Sequence, residues 1–334
     1  MFSVKDITAA AKTIAGIADA TPFVPSPYMT ALVGQDVFLK LENMQPIGAF
    51  KLRGAVNAIA QLPDGVKGVT CCSTGNHGRG VAYAAAKRGI RAVICMSELV
   101  PQTKVDGIRA LGAEVRIVGQ SQDDALVEAQ RLVEEEGLVE ISPFDDPQVI
   151  AGQGTIGLEM MAQKPDLTTI LVPLSGGGLA AGIGVGVKAV NPDVRVIGVT
   201  MDRGAAMHAA IKAGHPVDVV EVPSLADSLG GGIGQDNKLS FPLCQQVLDD
   251  IILVSEDDIR DAMQMLYFED RIIAEGASVV GLAAMISGKF VPSRGSVATV
   301  VTGRNVDMAM FTQIMNGGDI VLGDKVVMGR PYGA

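Results

Sequence analysis

The chain has 334 residues, 48% of them hydrophobic, and a net charge of −10 with no block of Lys or Arg. It is long enough to bury a large core in two domains or lobes, but it lacks the concentrated positive charge that a nucleic-acid surface needs. No apolar run reaches the roughly 18 residues that cross a bilayer, because the most apolar stretch, residues 179–187, is broken by glycines and followed by Lys188.

From the N-terminus, MFSVKDITAAAKTIAG lacks the basic-then-apolar order of a secretory signal. Ile7, Ala10, Ala11 and Ile14 recur at helical spacing and read as an amphipathic helix. Short β-branched runs follow at 37–40, 68–72, 92–96, 114–118, 170–173, 194–199 and 297–301. Helical patterns lie between them at 77–88, 104–111 and 123–136, the last with Leu126, Ala129 and Val133 on one face and Gly137 as its stop. Alternation of this kind predicts an α/β fold of parallel sheets with right-handed crossovers. The absence of any linker or repeat predicts two lobes that interleave. The tail GGDIVLGDKVVMGRPYGA reads as a hairpin around Gly323 and Asp324, without an assigned role. Cys71, Cys72, Cys95 and Cys244 show no C-x-x-C spacing, so buried, reduced thiols and a cytoplasmic location are expected.

In parallel sheets, ligands bind where strands end and helices begin, and such junctions carry the unusual chemistry here. In LKLENMQPIGAFKLRGA, Lys51 sits between Phe50 and Leu52 in an otherwise apolar run. Desolvation there lowers an amine pKa and frees it for imine formation; the alternative is a stem packed on the core with its head in water. Ser73-Thr74-Gly75-Asn76-His77-Gly78 follows a strand and opens a helix. Its backbone N–H groups suit a carboxylate or phosphate, although ordinary capping would use the same residues. Ser175-Gly176-Gly177-Gly178 precedes a helix beginning near Leu179, lets backbone approach an anion closely, and matches neither the dinucleotide fingerprint nor the P-loop. Thr302-Gly303-Arg304-Asn305 places a hydroxyl at a strand end, where it could meet a heterocyclic nitrogen or simply close a turn.

Together FKLRGA, STGNHG, VPQTKVDGIRALGAEV, PFDDPQVIAGQGTIGLE, SGGGLAAG, AEGASVVGLAA and TGRNVD, spread from about Thr21 to Asp307, resemble the serine/threonine dehydratase family of fold-type-II pyridoxal-phosphate (PLP) enzymes, which includes serine racemases. The resemblance implies a tryptophan-synthase-β-like fold, with a large PLP-binding lobe (1–64 and 145–334) and a small lobe (65–144) closing over the substrate. It implies PLP on Lys51, which would also act as base toward the α-proton, with Phe50 beside it. Asn76 would bond the ring hydroxyl, Ser175, Gly176, Gly177, Gly178 and Leu179 would cradle the phosphate, and Thr302 would face the ring nitrogen. Ser73, Thr74, Gly75 and His77 would take the substrate carboxylate, and Glu275 would lie near the cofactor. A neutral Thr302 holds the ring nitrogen unprotonated, which favours loss of a β-leaving group over transamination. The implied activity is a dehydratase that eliminates the 3-hydroxyl of a small 3-hydroxy-2-amino acid and releases ammonia. A homodimer is the family expectation.

Several positions depart from the family pattern. Thr74 stands where racemases carry a serine, which ranks racemase activity lower. Thr200 and Ala206 replace the acidic residues of the family's divalent-ion site, so no metal is expected. Ala49 and Ser142 replace the usual serine and histidine. Arg304 in TGRN could receive a polar or anionic substrate tail, or pair with Asp307. The run ADSLGGGIGQDN is similar to a sub-branch associated with hydroxyectoine utilisation, so the substrate alternatives are threonine or serine, 3-hydroxyaspartate, or a hydroxyectoine-derived amino acid. The chain ends soon after the last cofactor motif, so a catabolic role without feedback control is expected. β-Replacement and a non-catalytic PLP or amino-acid binder are the competing readings.

Overall fold

A computed structural model describes residues 2–333 apart from residues 74, 101 and 294. Each β-branched run becomes a strand: Val37–Leu41, Val69–Cys72, Ala92–Met96, Glu114–Ile117, Leu167–Pro173, Arg195–Met201 and Ser296–Val301. Ala92–Met96 and Ser296–Val301 are buried at every position, as strands are when helices cover both faces of a parallel sheet. Phe23–Pro25, Val139–Glu140 and Asp250–Val254 are further strands. The first two are too short to show a period, and the third is a half-exposed edge.

Six strands form one sheet, in the order Phe23–Pro25, Val37–Leu41, Ser296–Val301, Leu167–Pro173, Arg195–Met201, Asp250–Val254. Only its first pair is antiparallel. A second, all-parallel sheet runs Glu114–Ile117, Ala92–Met96, Val69–Cys72, Val139–Glu140. The tail forms the expected hairpin, with Ile320–Leu322 against Lys325–Val327.

Helix ends follow local chemistry. Ser3 caps the helix Val4–Ile14 in a capping box with Asp6, and that helix buries Ile7, Ala10 and Ile14. Ala11, expected on the same face, is exposed instead, because the buried stripe is one residue narrower than the apolar pattern. Gly137 ends the helical stretch that closes at Glu136 in the left-handed conformation (φ 70°). The helix Pro147–Gln163 is buried on nearly all sides and so lacks the single stripe that periodicity detects. It packs on the helix Gly178–Val190 at glycine-to-glycine distance: a Cβ on Gly182 would lie 2.4 Å from the Ile150 carbonyl oxygen and 2.7 Å from the Gly154 nitrogen.

A balanced charge cluster ties the start of the helix Lys51–Ala60 to its surroundings. Arg53 donates from Nε to Glu42 (2.8 Å), from Nη1 to Thr155 (3.0 Å) and Glu159 (2.6 Å), and from Nη2 to Asp19 O (3.0 Å). Lys40 donates to Glu159 (2.6 Å) and to Thr21 O (2.7 Å). Arg53, Glu42 and Lys40 are all fully buried. Burial would push the Glu42 carboxyl up, but the Arg53 guanidinium outweighs it and holds the group below its usual range. Among the described residues, no helix is long and apolar enough to cross a membrane.

Candidate active site

The strand Val37–Leu41 leads through a short 3-10 turn, Glu42–Met44, to the loop before Lys51. Gly48 turns that loop at φ 78°, where a Cβ would press on Asn305 and Arg304. An antiparallel bridge joins Ala49 to Gly303, and the Phe50 N–H donates to Thr302 O (2.9 Å). The lysine loop is thus stitched to the end of the strand Ser296–Val301. Lys51 then opens its helix, with its Nζ donating to Pro143 O (2.6 Å) and lying 5.4 Å from the Phe50 ring centroid. The residue is half-buried, and desolvation of its amine lowers its pKa to about 8.

The Val69–Cys72 strand ends at Ser73, and the helix Asn76–Arg88 begins with Gly75 as its cap residue. Ser73 and Gly75 are half-buried at this junction, and the Gly75 N–H approaches Ser73 Oγ at 3.4 Å. The helix comes so close to Lys51 that a Cβ on Gly80 would lie 3.2 Å from Lys51 O. Asn76 donates from Nδ2 to Glu275 (2.8 Å) and accepts at Oδ1 from Asn305 (2.6 Å). His77 is buried, with Nε2 on Ile141 O (2.7 Å). Burial first, and the nearby Lys51 charge second, hold its pKa down at about 3, so the ring is neutral and Nε2 donates. Thr74 lies outside the described residues.

The third junction is a glycine cradle. Gly177 caps the helix Gly178–Val190 at φ 90°, and no side chain caps that helix. A Cβ on Gly176 would fall 2.3 Å from the Phe144 ring, and one on Gly178 would fall 2.8 Å from Phe144 O. On Gly177 it would meet Met207 and Cys244. Ser175 is half-buried at the start of the cradle and Leu179 is buried behind it. Thr302, also buried, shares a hydrogen bond of 2.9 Å with Ser278 Oγ, which in turn accepts from Gly303 N–H (2.7 Å).

The structure therefore links Lys51, Asn76, the glycine cradle and Thr302 through shared neighbours: Lys51 through Pro143 O and the adjoining Phe144 to the glycines, through the Phe50 N–H to Thr302, and Asn76 through Glu275 and Asn305 to the Gly303 strand end. It adds Ser278, Asn305, Phe144 and Pro143, whose roles only the folded chain reveals; the quoted motifs around them were the available signal. Arg304 differs from one expectation. Its Nη1 donates to Asn43 O (2.7 Å), and no ion pair with Asp307 forms, because that carboxylate caps the helix Met308–Met315 by accepting from Met310 N–H (2.8 Å).

These residues fit PLP. The amine is desolvated, the helix end behind the glycines has its N–H groups uncapped for a phosphate, and the wall touching each glycine leaves room for backbone alone. Glu275 is buried against Asn76 and Ser228, and burial lifts its pKa to about 7, partly offset by the Asn76 hydrogen bond and reinforced by Asp227. Its folded pKa exceeds the ordinary value of 4.5. Stability of the cofactor-free protein should therefore fall as pH rises from about 4.5 to about 7, with the penalty complete above that window. Glu275→Gln is expected to flatten this slope and to gain on the order of 1–3 kcal/mol at about pH 8. Urea unfolding at about pH 5 and about pH 8 checks it; parallel changes in variant and wild type would rule it out.

Comparison with known proteins shows the family. The family model described as pyridoxal-phosphate dependent enzyme matches residues 14–303. A Sinorhizobium fredii protein provisionally named a threonine dehydratase is 56% identical over 299 residues, which are 89% of this chain and 90% of that protein. The L-threonine ammonia-lyase of Thermotoga maritima is 39% identical over 338 residues, 99% of this chain and 84% of that one. The structure of maize serine racemase matches with a TM-score of 0.89 at 34% identity, over 94% of this chain and 97% of the racemase.

Proposed function

The chain belongs to the pyridoxal-phosphate-dependent enzymes, as a lyase of the fold-type-II serine/threonine dehydratase family, and on that premise we propose that it eliminates the 3-hydroxyl of a small 3-hydroxy-2-amino acid. The observation that carries this reading is the Lys51 amine, held at Pro143 O beside the Phe144 wall of the glycine cradle, on a loop whose Phe50 N–H bonds Thr302 O. When bound, PLP supplies an electron sink for charge developing at the substrate Cα. Lys51 Nζ holds the cofactor and then accepts the α-proton, for which its lowered pKa suits it near neutral pH. Ser73 and Thr74, with the backbone of Gly75–His77, would hold the substrate carboxylate. Asn76, fixed from both sides by Glu275 and Asn305, orients the ring hydroxyl. Thr302, held by Ser278, would face the ring nitrogen with an uncharged hydroxyl, a partner that suits loss of a β-hydroxyl better than transamination. The hydroxyl would depart as water with a proton equivalent to the one Lys51 Nζ takes from Cα, and the released enamine becomes an imine that water hydrolyses to 2-oxo acid and ammonia.

The names of the bacterial relatives favour threonine as substrate, with serine as the smaller alternative. The Ala226–Asn237 run supports a hydroxyectoine-derived amino acid, and Arg304, unpaired with Asp307, would meet a polar or anionic tail. The proposed assembly is a homodimer, with the lobe formed by residues 65–144 closing over the substrate.

The purified protein supplied with PLP should turn yellow. L-threonine, L-serine, 3-hydroxyaspartate or a hydroxyectoine-derived amino acid should shift that absorbance and release ammonia. D-serine formed from L-serine would instead indicate a racemase, and capture of sulfide into product a β-replacement enzyme. A protein that stays colourless would overturn the reading.

A further inference from the structure

Two helix N-termini converge on the glycine cradle, and the structure treats them differently. The helix Gly178–Val190 starts without a side-chain cap. The helix Ser240–Val247 also lacks a cap from its own cap residue, but a carboxylate from far along the chain occupies its end. Asp145 Oδ1 accepts from the N–H groups of Leu239 (2.9 Å) and Ser240 (2.8 Å), and Oδ2 accepts from Lys238 N–H (2.9 Å). An internal anion thus fills the site that a phosphate could otherwise take. Ser240 passes this anchorage on, donating from Oγ to Gly176 O (2.7 Å) and accepting from Asn237 Nδ2 (2.8 Å). Ser240 and Cys244 also lie against the Gly177 Cα, each within 3.3 Å of where a Cβ would be. The residue before Asp145 is Phe144, which walls Gly176 and Gly178 from the opposite side. Asp146 next to it caps the helix Pro147–Gln163 through Gln148 and Val149 N–H, so the strap carrying Asp145 is itself fixed.

We propose that Asp145 is a positioning residue for the phosphate cradle: it staples the Phe144 wall to the Ser240 wall, setting the gap in which the glycine backbone faces the phosphate. It touches neither substrate nor reacting atoms. The inference rests on the reading that the glycines hold the phosphate of PLP, and the test separates the two.

Cofactor-free wild type, Asp145→Ala, Asp145→Asn and Ser240→Ala are titrated with PLP and, separately, with pyridoxal, which can join Lys51 but has no phosphate. Thermal unfolding of each cofactor-free protein is recorded alongside. Asp145→Ala should weaken PLP binding by about 10- to 100-fold and leave pyridoxal binding close to wild type, while the cofactor-free midpoint falls by the modest amount that losing a helix-end carboxylate costs. Asp145→Asn, which keeps one acceptor oxygen, and Ser240→Ala should fall between. PLP affinity unchanged in Asp145→Ala overturns the proposal. So does an equal loss for PLP and pyridoxal, since that marks a general structural role. If wild type itself binds PLP no better than pyridoxal, the glycine loop is not the phosphate seat and the underlying reading fails instead.

Discussion

Lys51→Ala is expected to lower ammonia release by on the order of 10³-fold or more and to abolish the covalent, borohydride-reducible link to PLP. Two roles fall on one amine, so no other side chain substitutes for it. Asn76 and Thr302 can hold the ring but cannot form the imine, and His77 has its Nε2 proton committed to Ile141 O. Lys51→Arg should be as inactive, because a guanidinium keeps the charge without a nucleophilic amine. In wild type, the rate of PLP attachment should climb with pH through about 8 as the amine deprotonates. The same shift costs stability. A lysine held below its ordinary 10.5 burdens the fold at all pH values below about 8, and the burden eases as pH rises toward 10.5. Lys51→Ala should therefore unfold at a urea concentration no lower than wild type at neutral pH. Activity and reducible adduct surviving in Lys51→Ala would refute the assignment; an early unfolding midpoint would show that the residue acts through the fold.

Arg53→Met is expected to have the opposite profile, costing about 3–5 kcal/mol of stability because it strands buried partners without their countercharge. Glu42 is fully buried and takes hydrogen bonds from Arg53 Nε and Nη2, each at 2.8 Å. Lys40 remains, but its amine already serves Glu159 and Thr21 O. The loss should be largely recovered in Arg53→Met/Glu42→Gln, since removing both charges also removes the desolvation cost of the pair. Urea unfolding of the two single variants and the double variant measures the coupling. A cost below about 1 kcal/mol for Arg53→Met, the size of an exposed pair, would show that the cluster is solvated in solution. Arg53 lies one residue beyond Leu52 on the lysine helix, so its loss should also loosen the Lys51 loop and reduce PLP retention in the surviving folded fraction.

Much of this architecture is legible in the chain. Val69–Cys72, Ala92–Met96 and Ser296–Val301 stand out because strands covered on both faces read as short β-branched, largely apolar runs. The strand-to-helix junctions stand out because small residues cluster where backbone N–H groups must stay open. Lys51 is conspicuous as a charge in an apolar run. The helix Pro147–Gln163 is harder to see, since burial on all sides erases its stripe. Ala11 shows the limit of periodicity, being apolar, correctly spaced and exposed. Arg304 shows a second limit: charge alone suggests Asp307 as partner, but Asp307 is needed as a helix cap and the arginine turns to Asn43 O.

By itself, the sequence determined the alternation of strand and helix, a lysine set in an apolar run, the glycine turn and the uncharged strand-end hydroxyl. Each depends on near neighbours: hydrophobic period, local desolvation, and the backbone freedom of glycine. Only the tertiary structure decided which groups meet across 100 residues or more. Asn76 meets Glu275 and Asn305, Arg53 meets Glu159, and Thr302 meets the lysine loop. It also decided the pKa of Glu275, because burial and hydrogen-bond partners, not residue type, set whether a carboxyl keeps its proton near neutral pH. Asp145 makes the same point, since an acidic residue in a polar stretch becomes a structural anion only when a distant helix end is brought to it.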